Sequence, residues 1–166
     1  MKKVKLKLPT GAVVRLSRDN DNALQVAVVE EFGPRFAPGA RLLYFGSTTK
    51  KDVIRATDQL AALGIGIAEH EKLPDIVLYE PEKNWLFLIE AATSHGPVNQ
   101  GRRNELESMV AICPAHCVYV TVFMERADLG KYMDDIAWET EVWFADNPDH
   151  MVHYDGRRLP EPYRHA

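Results

Sequence analysis

The chain lacks the features of secreted, membrane-spanning and thiolate-metal proteins. It has two cysteines in 166 residues, Cys113 and Cys117. Their spacing and the absence of a second pair argue against a zinc site and favour buried, reduced thiols. No apolar run approaches the length of a membrane span. The N-terminal MKKVKLKL alternates lysines with apolar residues, so it lacks the apolar core of a signal peptide. We therefore expect a cytoplasmic protein with no membrane partner.

Excess positive charge and phosphate-cradling glycine loops are also missing. The formal net charge is -4, so any contact with nucleic-acid phosphates must come from local clusters rather than from the protein as a whole. Gly64 and Gly66 follow a predicted helix instead of a strand, which removes the context that a dinucleotide-binding turn requires. The composition is otherwise ordinary for a globular protein, and this length predicts one domain.

Hydrophobic periodicity and turn residues predict alternating strands and helices. The predicted elements are, in order, a hairpin ending at Leu16, a helix at Asp21–Phe32 stopped by Gly33-Pro34, a strand at Arg41–Phe45, a helix capped by Ser47-Thr48 and closed by Gly64, a hairpin of two buried strands, a helix from Asn99 to about Ile112, a strand at His116–Phe123, a helix at Ala127–Ala137, and strands at Glu141–Phe144 and Met151–Tyr154. Trp138, Trp143 and Phe144 are expected in the core. This order indicates an α/β domain with a mixed sheet flanked by helices.

The second hairpin carries the most informative pair of side chains, Asp75 and Glu90. If Pro81–Asn84 form its loop, Glu80 pairs with Trp85, and counting along both strands brings Asp75 opposite Glu90. Opposed residues of an antiparallel pair have Cβ atoms about 4.5 to 5.5 Å apart, and like charges placed there destabilise the sheet. A hard divalent cation such as Mg²⁺, which prefers oxygen ligands, is the simplest partner for this carboxylate pair.

The predicted αβββαβ order, with Asp75 opening the second strand and Glu90 near the end of the third, is similar to the PD-(D/E)xK nuclease fold. Three longer stretches are more specific than the motif: FAPGARLLYFG, EHEKLPDIVLYEPEKNWLFLIEAATSHGPV and DIAWETEVWFADNPDHMVHYDG. Together they resemble the C-terminal catalytic domain of the BsuBI/PstI family of type II restriction endonucleases. The resemblance implies an α/β restriction-endonuclease-like fold. Members of that family typically carry a further N-terminal domain, so we expect residues 1–166 to form a single nuclease-like domain without it.

The resemblance also implies roles for the carboxylate pair. Asp75 and Glu90 would carry catalysis and hold Mg²⁺ together with the main-chain carbonyl of Ala91. The alternative is that Asp75 merely starts its strand while Glu90 pairs with a nearby arginine. The third motif position usually bears a lysine, whereas Ala92 occupies it here, and the BsuBI/PstI family itself lacks this lysine. Lys72 is the first candidate for a relocated catalytic cation, with a solvated loop lysine as the alternative.

Further residues extend the candidate site. Many nucleases of this fold use a first-helix glutamate to hold a metal-bound water, and Glu31 lies near the apolar stripe of that helix; a salt bridge on the helix flank is the alternative. Ser47 stands where the family commonly has Asp, which could weaken a second metal site or a substrate contact. Six residues are candidates for contact with DNA, each with a solvated or structural role as the alternative: Arg102, Arg103, Lys50, Lys51, Ser94 and His95.

These features predict a Mg²⁺-dependent endonuclease that hydrolyses phosphodiester bonds of duplex DNA, acting as a homodimer because two-fold symmetry suits cleavage of both strands. The alternative is a catalytically weak DNA-binding or assembly module that keeps the nuclease fold, motivated by Ala92, Ser47 and the absent N-terminal domain. Whether a separate specificity domain supplies recognition is left open. A hydrolase of small phosphoesters is disfavoured because no phosphate-cradling glycine loop is present.

Overall fold

The computed structural model describes residues 3–17, 20–46, 54–65, 73–93 and 96–156. The strands are β1 (Lys3–Lys7), β2 (Val13–Ser17), β3 (Arg41–Phe45), β4 (Ile54–Arg55), β5 (Ile76–Glu80), β6 (Trp85–Ala91), β7 (His116–Phe123), β8 (Thr140–Phe144) and β9 (Met151–Tyr154). The helices are α1 (Asn20–Ala27), a π-helical segment (Val28–Phe32), α2 (Gly33–Phe36), α3 (Thr57–Ala62), α4 (Gln100–Met109) and a 3₁₀ segment (Arg126–Lys131). Within these ranges no helix is long and apolar enough to cross a membrane.

Seven strands form one mixed sheet in the order β4-β3-β5-β6-β7-β8-β9, and β1 pairs with β2 in a separate hairpin. The β5-β6 pair is antiparallel, whereas β7 runs parallel to both β6 and β8. A parallel neighbour requires a crossover connection, and α4 lies in the one between β6 and β7. The predicted α/β architecture is confirmed, and it places β6 at the centre of the sheet.

Apolar side chains cover both faces of the sheet, which explains why β5 and β6 are almost continuously apolar. On one face Phe32 of the π-helical segment packs edge-on against Trp143 and Phe87, with ring centroids 5.6 and 5.8 Å apart. On the other face α3 and α4 contribute buried leucines to a second cluster. Trp143 and Phe144 are buried as predicted, but the prediction for Trp138 is wrong, because 63% of it is exposed.

The first helix does not stop at Gly33-Pro34 as predicted. Its α-helical part ends at Ala27, a π-helical turn follows, and α2 then continues to Phe36. The Gly33 N–H closes the π-helical segment by donating to the carbonyl of Val28. Pro34 lies in the first turn of α2, where its missing N–H needs no helical partner. The proline therefore does not end the helical region.

Two other predicted helices are also wrong in part. Where a helix was expected from Ser47-Thr48 onward, Ile54–Arg55 form β4 and α3 begins only at Thr57; Ser47 lies outside the described residues. The predicted helix at Ala127–Ala137 is a 3₁₀ segment followed by turns. None of the residues of the 3₁₀ segment is fully buried, although Leu129, Tyr132 and Ile136 of the predicted helix pack against the core.

The segment between β6 and α4 is fixed to the sheet by Thr121 of β7. The N–H of the fully buried Val98 donates to Thr121 Oγ1 at 3.0 Å, and the carbonyl of Val98 accepts from the N–H of Ala137 at 3.0 Å. Thr121 is also the β7 residue paired with Glu90. One hydroxyl therefore links the segment that follows the candidate site to the strand beside it.

Replacing Thr121 by Val should lower the free energy of unfolding by about 1–3 kcal/mol, because it leaves the buried Val98 N–H without an acceptor. Urea denaturation followed by circular dichroism measures the change. Thr121→Ser keeps the hydroxyl and should cost less. A smaller loss in Thr121→Val than in Thr121→Ser would show that the methyl group, not the hydrogen bond, is the main stabilising contact.

Candidate active site

The hairpin register that the sequence predicts is confirmed. Glu80 pairs with Trp85, and the ladder runs back to Ile76 opposite Ile89. Asn84 has a φ of 58°, the left-handed conformation that asparagine tolerates at the end of a turn. Continuing the ladder by one residue places Asp75 and Glu90 opposite each other. The carboxylate pair therefore lies where β5 begins and β6 ends.

Asp75 is held against the end of β6 by a backbone hydrogen bond. The N–H of Ala91 donates to Asp75 Oδ2 at 2.8 Å, and the main-chain carbonyl of Asp75 accepts from the N–H of Gly46 at 2.9 Å. In an antiparallel pair a residue presents its N–H and C=O toward the same neighbouring strand. Because the N–H of Ala91 faces Asp75, its carbonyl is directed to that side as well. Two carboxylates and one main-chain carbonyl, those of Asp75, Glu90 and Ala91, therefore lie at the same end of the hairpin.

Glu90 forms a buried ion pair with Arg102 of α4. Both Nε and Nη2 of Arg102 donate to the single oxygen Oε1 of Glu90, at 3.0 and 2.7 Å. Only 15% of the Arg102 side chain and 6% of the Glu90 side chain are exposed. Burial lowers the pKa of Arg102, but the attraction of Glu90 and its hydrogen bonds outweigh burial, so this pKa is raised above its ordinary value.

This ion pair sets the electrostatics of the site. Two carboxylates that share a sheet rim repel each other, and the guanidinium offsets that repulsion from the Glu90 side. Removing one partner of a buried pair typically costs about 3–5 kcal/mol, because the other charge stays buried and uncompensated. Arg102 also reaches Glu105 through Nη1 at 3.0 Å. The structure therefore contains the contact expected under the alternative interpretation, in which Glu90 pairs with a nearby arginine.

The oxygen donors of Asp75, Glu90 and Ala91 fit a hard divalent cation in chemical type. In the described part of the chain, no group of three or more His, Cys, Asp or Glu side chains lies together as potential metal ligands. A cation at the carboxylate pair would therefore need the Ala91 carbonyl and non-protein oxygens to complete its coordination. Mg²⁺ suits such a site, because it usually retains several waters and binds one or two carboxylates.

The third motif position carries no charge. Ala92 is 7% exposed, and its N–H donates to the carbonyl of Val122 at 3.0 Å. Ala92 lies just beyond β6, so the alternation of side chains along a strand does not extend to it. The candidate replacement cation, Lys72, lies outside the described residues. The same holds for four of the predicted DNA contacts, namely Lys50, Lys51, Ser94 and His95, which stay predictions.

Glu31 is engaged in an ion pair on the helix flank. Its Oε2 accepts from Arg35 Nη1 at 2.6 Å, and the Nε of Arg35 in turn binds Asp149 at 2.8 Å. The Glu31 side chain is 49% exposed. These contacts match the salt-bridge alternative for Glu31, and its role toward a metal stays a prediction.

Arg103, the other arginine proposed to contact DNA, faces a different set of partners. It binds Glu107 at 3.0 Å and Glu139 at 3.2 Å, and its guanidinium carbon lies 4.9 Å from the ring centroid of Tyr119. Its side chain is 15% exposed. These contacts hold α4 against the sheet and the loop before β8. The two adjacent arginines are therefore distinguished by partner: Arg102 contacts the candidate site, and Arg103 contacts its surroundings.

The pairing of Arg102 with Glu90 has a signal in the sequence. Asn99 caps α4 as predicted, accepting from the Arg102 N–H at 2.8 Å, so Arg102 lies in the first helical turn. A cation there opposes the helix dipole, and α4 has no acidic residue in that turn. An arginine in such a position is stabilised by nearby anions, here Glu105 of the same helix and Glu90 of β6. The sequence alone does not show which anion, because the packing of α4 on β6 is non-local.

Comparison with known proteins gives the family. A model of the BsuBI/PstI restriction endonuclease domain matches residues 4–157. The chain belongs to the BsuBI/PstI restriction endonuclease family. It is 42% identical over 161 residues to the type II restriction enzyme BsuBI of Bacillus subtilis, covering 97% of this chain and 51% of the relative. The type II restriction enzyme AplI of Arthrospira platensis is 35% identical over 83 residues, covering 50% of this chain and 26% of the relative.

The fold agrees with the family. The solved structure of the SdaI restriction endonuclease superposes with a TM-score of 0.89 at 38% identity, covering 98% of this chain and 51% of the SdaI chain. The predicted restriction-endonuclease-like fold of the PD-(D/E)xK type is therefore confirmed. The chain spans about half the length of the BsuBI enzyme and of the SdaI chain.

Proposed function

We propose that this chain is a Mg²⁺-dependent endonuclease domain that hydrolyses phosphodiester bonds of duplex DNA. The observation that supports the proposal is the opposed pair of Asp75 and Glu90 at the rim of a buried sheet, in a chain of the BsuBI/PstI restriction endonuclease family. Asp75, Glu90 and the Ala91 carbonyl would hold the cation. When bound, it would supply a nucleophile from water at neutral pH and stabilise charge that develops on the phosphate oxygens.

The protein itself would position the carboxylates and offset their charge. The Ala91 N–H fixes the direction of Asp75, and the guanidinium of Arg102 fixes that of Glu90. Burial of β5 and β6 on both faces gives the pair a rigid support, and groups held in place reorganise little when charge develops. Lys72 remains our candidate for a further cation near the scissile phosphate, with Lys50, Lys51, Ser94, His95 and Arg103 as candidate DNA contacts.

Cleavage of both strands requires two catalytic centres or two successive events. We propose that the domain acts as a homodimer, because a two-fold axis relates equivalent positions on the two strands of duplex DNA. A specificity domain outside these 166 residues would then select the sequence. The isolated domain is expected to cut with little sequence preference.

The proposal is tested with supercoiled plasmid. Incubation with Mg²⁺ should convert it to open-circular and linear forms, and an excess of EDTA should prevent the conversion. Cleavage that persists in EDTA would exclude a metal-dependent mechanism. Retention of plasmid in gel-shift experiments, without cleavage in Mg²⁺ or Mn²⁺, would instead support the second candidate function, a DNA-binding module. That second function is motivated by Ala92, which leaves the third motif position without a cation, although the family that the chain resembles also lacks this lysine.

A further inference from the structure

The position of Arg102 suggests a role beyond neutralising a buried glutamate. Two of its nitrogens converge on one oxygen of Glu90, at 3.0 and 2.7 Å, and Glu90 is one of the two carboxylates proposed to hold a cation. A divalent cation and a guanidinium on the same carboxylate repel each other. Occupation of Glu90 by one of them therefore weakens its attraction for the other.

We propose that Arg102 is a built-in competitor for the metal site: it occupies Glu90 when no cation is bound, and metal binding displaces it. This inference rests on the proposed function of the Asp75/Glu90 pair. A displaced Arg102 keeps a partner, because its Nη1 already binds Glu105 at 3.0 Å. The Glu105 side chain is 68% exposed, so the guanidinium would move toward solvent instead of into another buried position.

The repulsion between the two carboxylates gives a second reason for Arg102 to occupy Glu90. Without a cation, the opposed carboxylates would face each other at the rim of a buried sheet, and like charges there destabilise the strand pair. Arg102 cannot be deprotonated in a protein, so it offsets this repulsion at every physiological pH. Arg102 thus stabilises the protein without metal and at the same time lowers its affinity for metal. Arg102 acts on the metal through Glu90 and is a positioning residue, not a catalytic one.

The inference predicts that Arg102→Met binds Mn²⁺ more tightly than the unaltered protein. We expect at least about a tenfold decrease in Kd by isothermal titration calorimetry, since like charges at ion-pair distance repel by more than the ~1.4 kcal/mol that a tenfold change represents. The melting temperature of the variant in EDTA should fall, and the increase on adding Mn²⁺ should be larger than for the unaltered protein. A purely structural role for Arg102 would not tighten metal binding.

Arg103→Met is the matched control, because Arg103 lies on the same helix, is equally buried and binds Glu107 and Glu139 instead of Glu90. Its Mn²⁺ affinity should be unchanged. If Arg102→Met does not fold, Arg102→Lys is the deciding variant, because an ammonium cannot place two nitrogens on Oε1 of Glu90. The Arg102→Lys protein should bind Mn²⁺ several-fold more tightly than the unaltered protein. Equal or weaker binding in the folded Arg102 variants would overturn the inference while leaving the proposed function intact. Absence of Mn²⁺ binding in all variants would overturn both.

Discussion

Asp75→Asn should lower the rate of Mg²⁺-dependent cleavage of duplex DNA by about 10³-fold or more, and Glu90→Gln should do the same. Each change removes a negative charge proposed to hold the cation, and the several kcal/mol of charge stabilisation that a metal supplies correspond to a loss of this size. The amide oxygen introduced by Asp75→Asn would still accept the hydrogen bond that the Ala91 N–H donates to Oδ2 in the unaltered protein, so the site should keep its shape. Single-turnover cleavage of supercoiled plasmid measures the rate.

The two variants should differ in stability although they agree in activity. Glu90→Gln removes the anionic partner of a guanidinium that is 15% exposed, so its melting temperature should fall further than that of Asp75→Asn. The difference separates loss of the metal site from loss of the ion pair. A melting temperature that falls equally in both variants would show that Glu105, the other partner of Arg102, is sufficient when Glu90 is neutral.

Glu80→Gln is the matched control for both substitutions. Glu80 is a buried acidic residue at the other end of β5, opposite Trp85, so it tests whether any loss of charge in this hairpin impairs cleavage. Its rate should stay close to that of the unaltered protein. Full activity in either Asp75→Asn or Glu90→Gln would contradict the assignment of the carboxylate pair as the metal site.

The register of this hairpin could be predicted from the sequence because short-range chemistry determines it. Pro81 and Asn84 define a four-residue loop, and the register follows from its ends. The apolar runs on either side are typical of strands that are covered on both faces. The position of Asp75 relative to Glu90 is a matter of counting from that loop, so no long-range information was needed.

Elements whose conformation depends on what they pack against could not be predicted in the same way. Residues 127–137 contain good helix formers, and Leu129, Tyr132 and Ile136 pack against the core, but these residues do so from a 3₁₀ segment and turns instead of a regular helix. The ion pair of Arg102 with Glu90 joins residues 12 apart in sequence across two elements. Their side chains meet only because α4 crosses back over the sheet after β6.

The burial of Trp138 and Trp143 differs for a similar reason. Trp138 directly follows the predicted helix at Ala127–Ala137, and Trp143 lies in the predicted strand at Glu141–Phe144. Only Trp143 is on β8, where it is fully buried. Trp138 precedes the strand, and its ring contacts Tyr154, with centroids 6.1 Å apart. Composition alone predicts both as core residues, whereas the sheet accommodates one of them. The pair therefore provides a direct comparison of the same residue type in two environments.

Trp143→Ala should lower the free energy of unfolding by about 3–5 kcal/mol, the range for truncating a fully buried aromatic side chain. Trp143 packs edge-on against Phe32 and donates from Nε1 to the carbonyl of Pro148 at 2.9 Å. The substitution thus removes a core contact between the sheet and the π-helical segment and leaves the Pro148 carbonyl without this donor. Since small domains are stable by only about 5–15 kcal/mol, this loss is a large share of the total free energy of unfolding.

Urea denaturation followed by far-ultraviolet circular dichroism is the appropriate measurement, because removing a tryptophan alters the fluorescence signal itself. Trp138→Ala is the matched control: the same atoms are removed at a position that is 63% exposed, and the loss should be about 1 kcal/mol or less. Equal losses in the two variants would contradict the assigned core. A large loss confined to Trp143 would confirm that its buried contacts with Phe32 and Pro148 belong to the stabilising core, because Trp138 is mostly exposed.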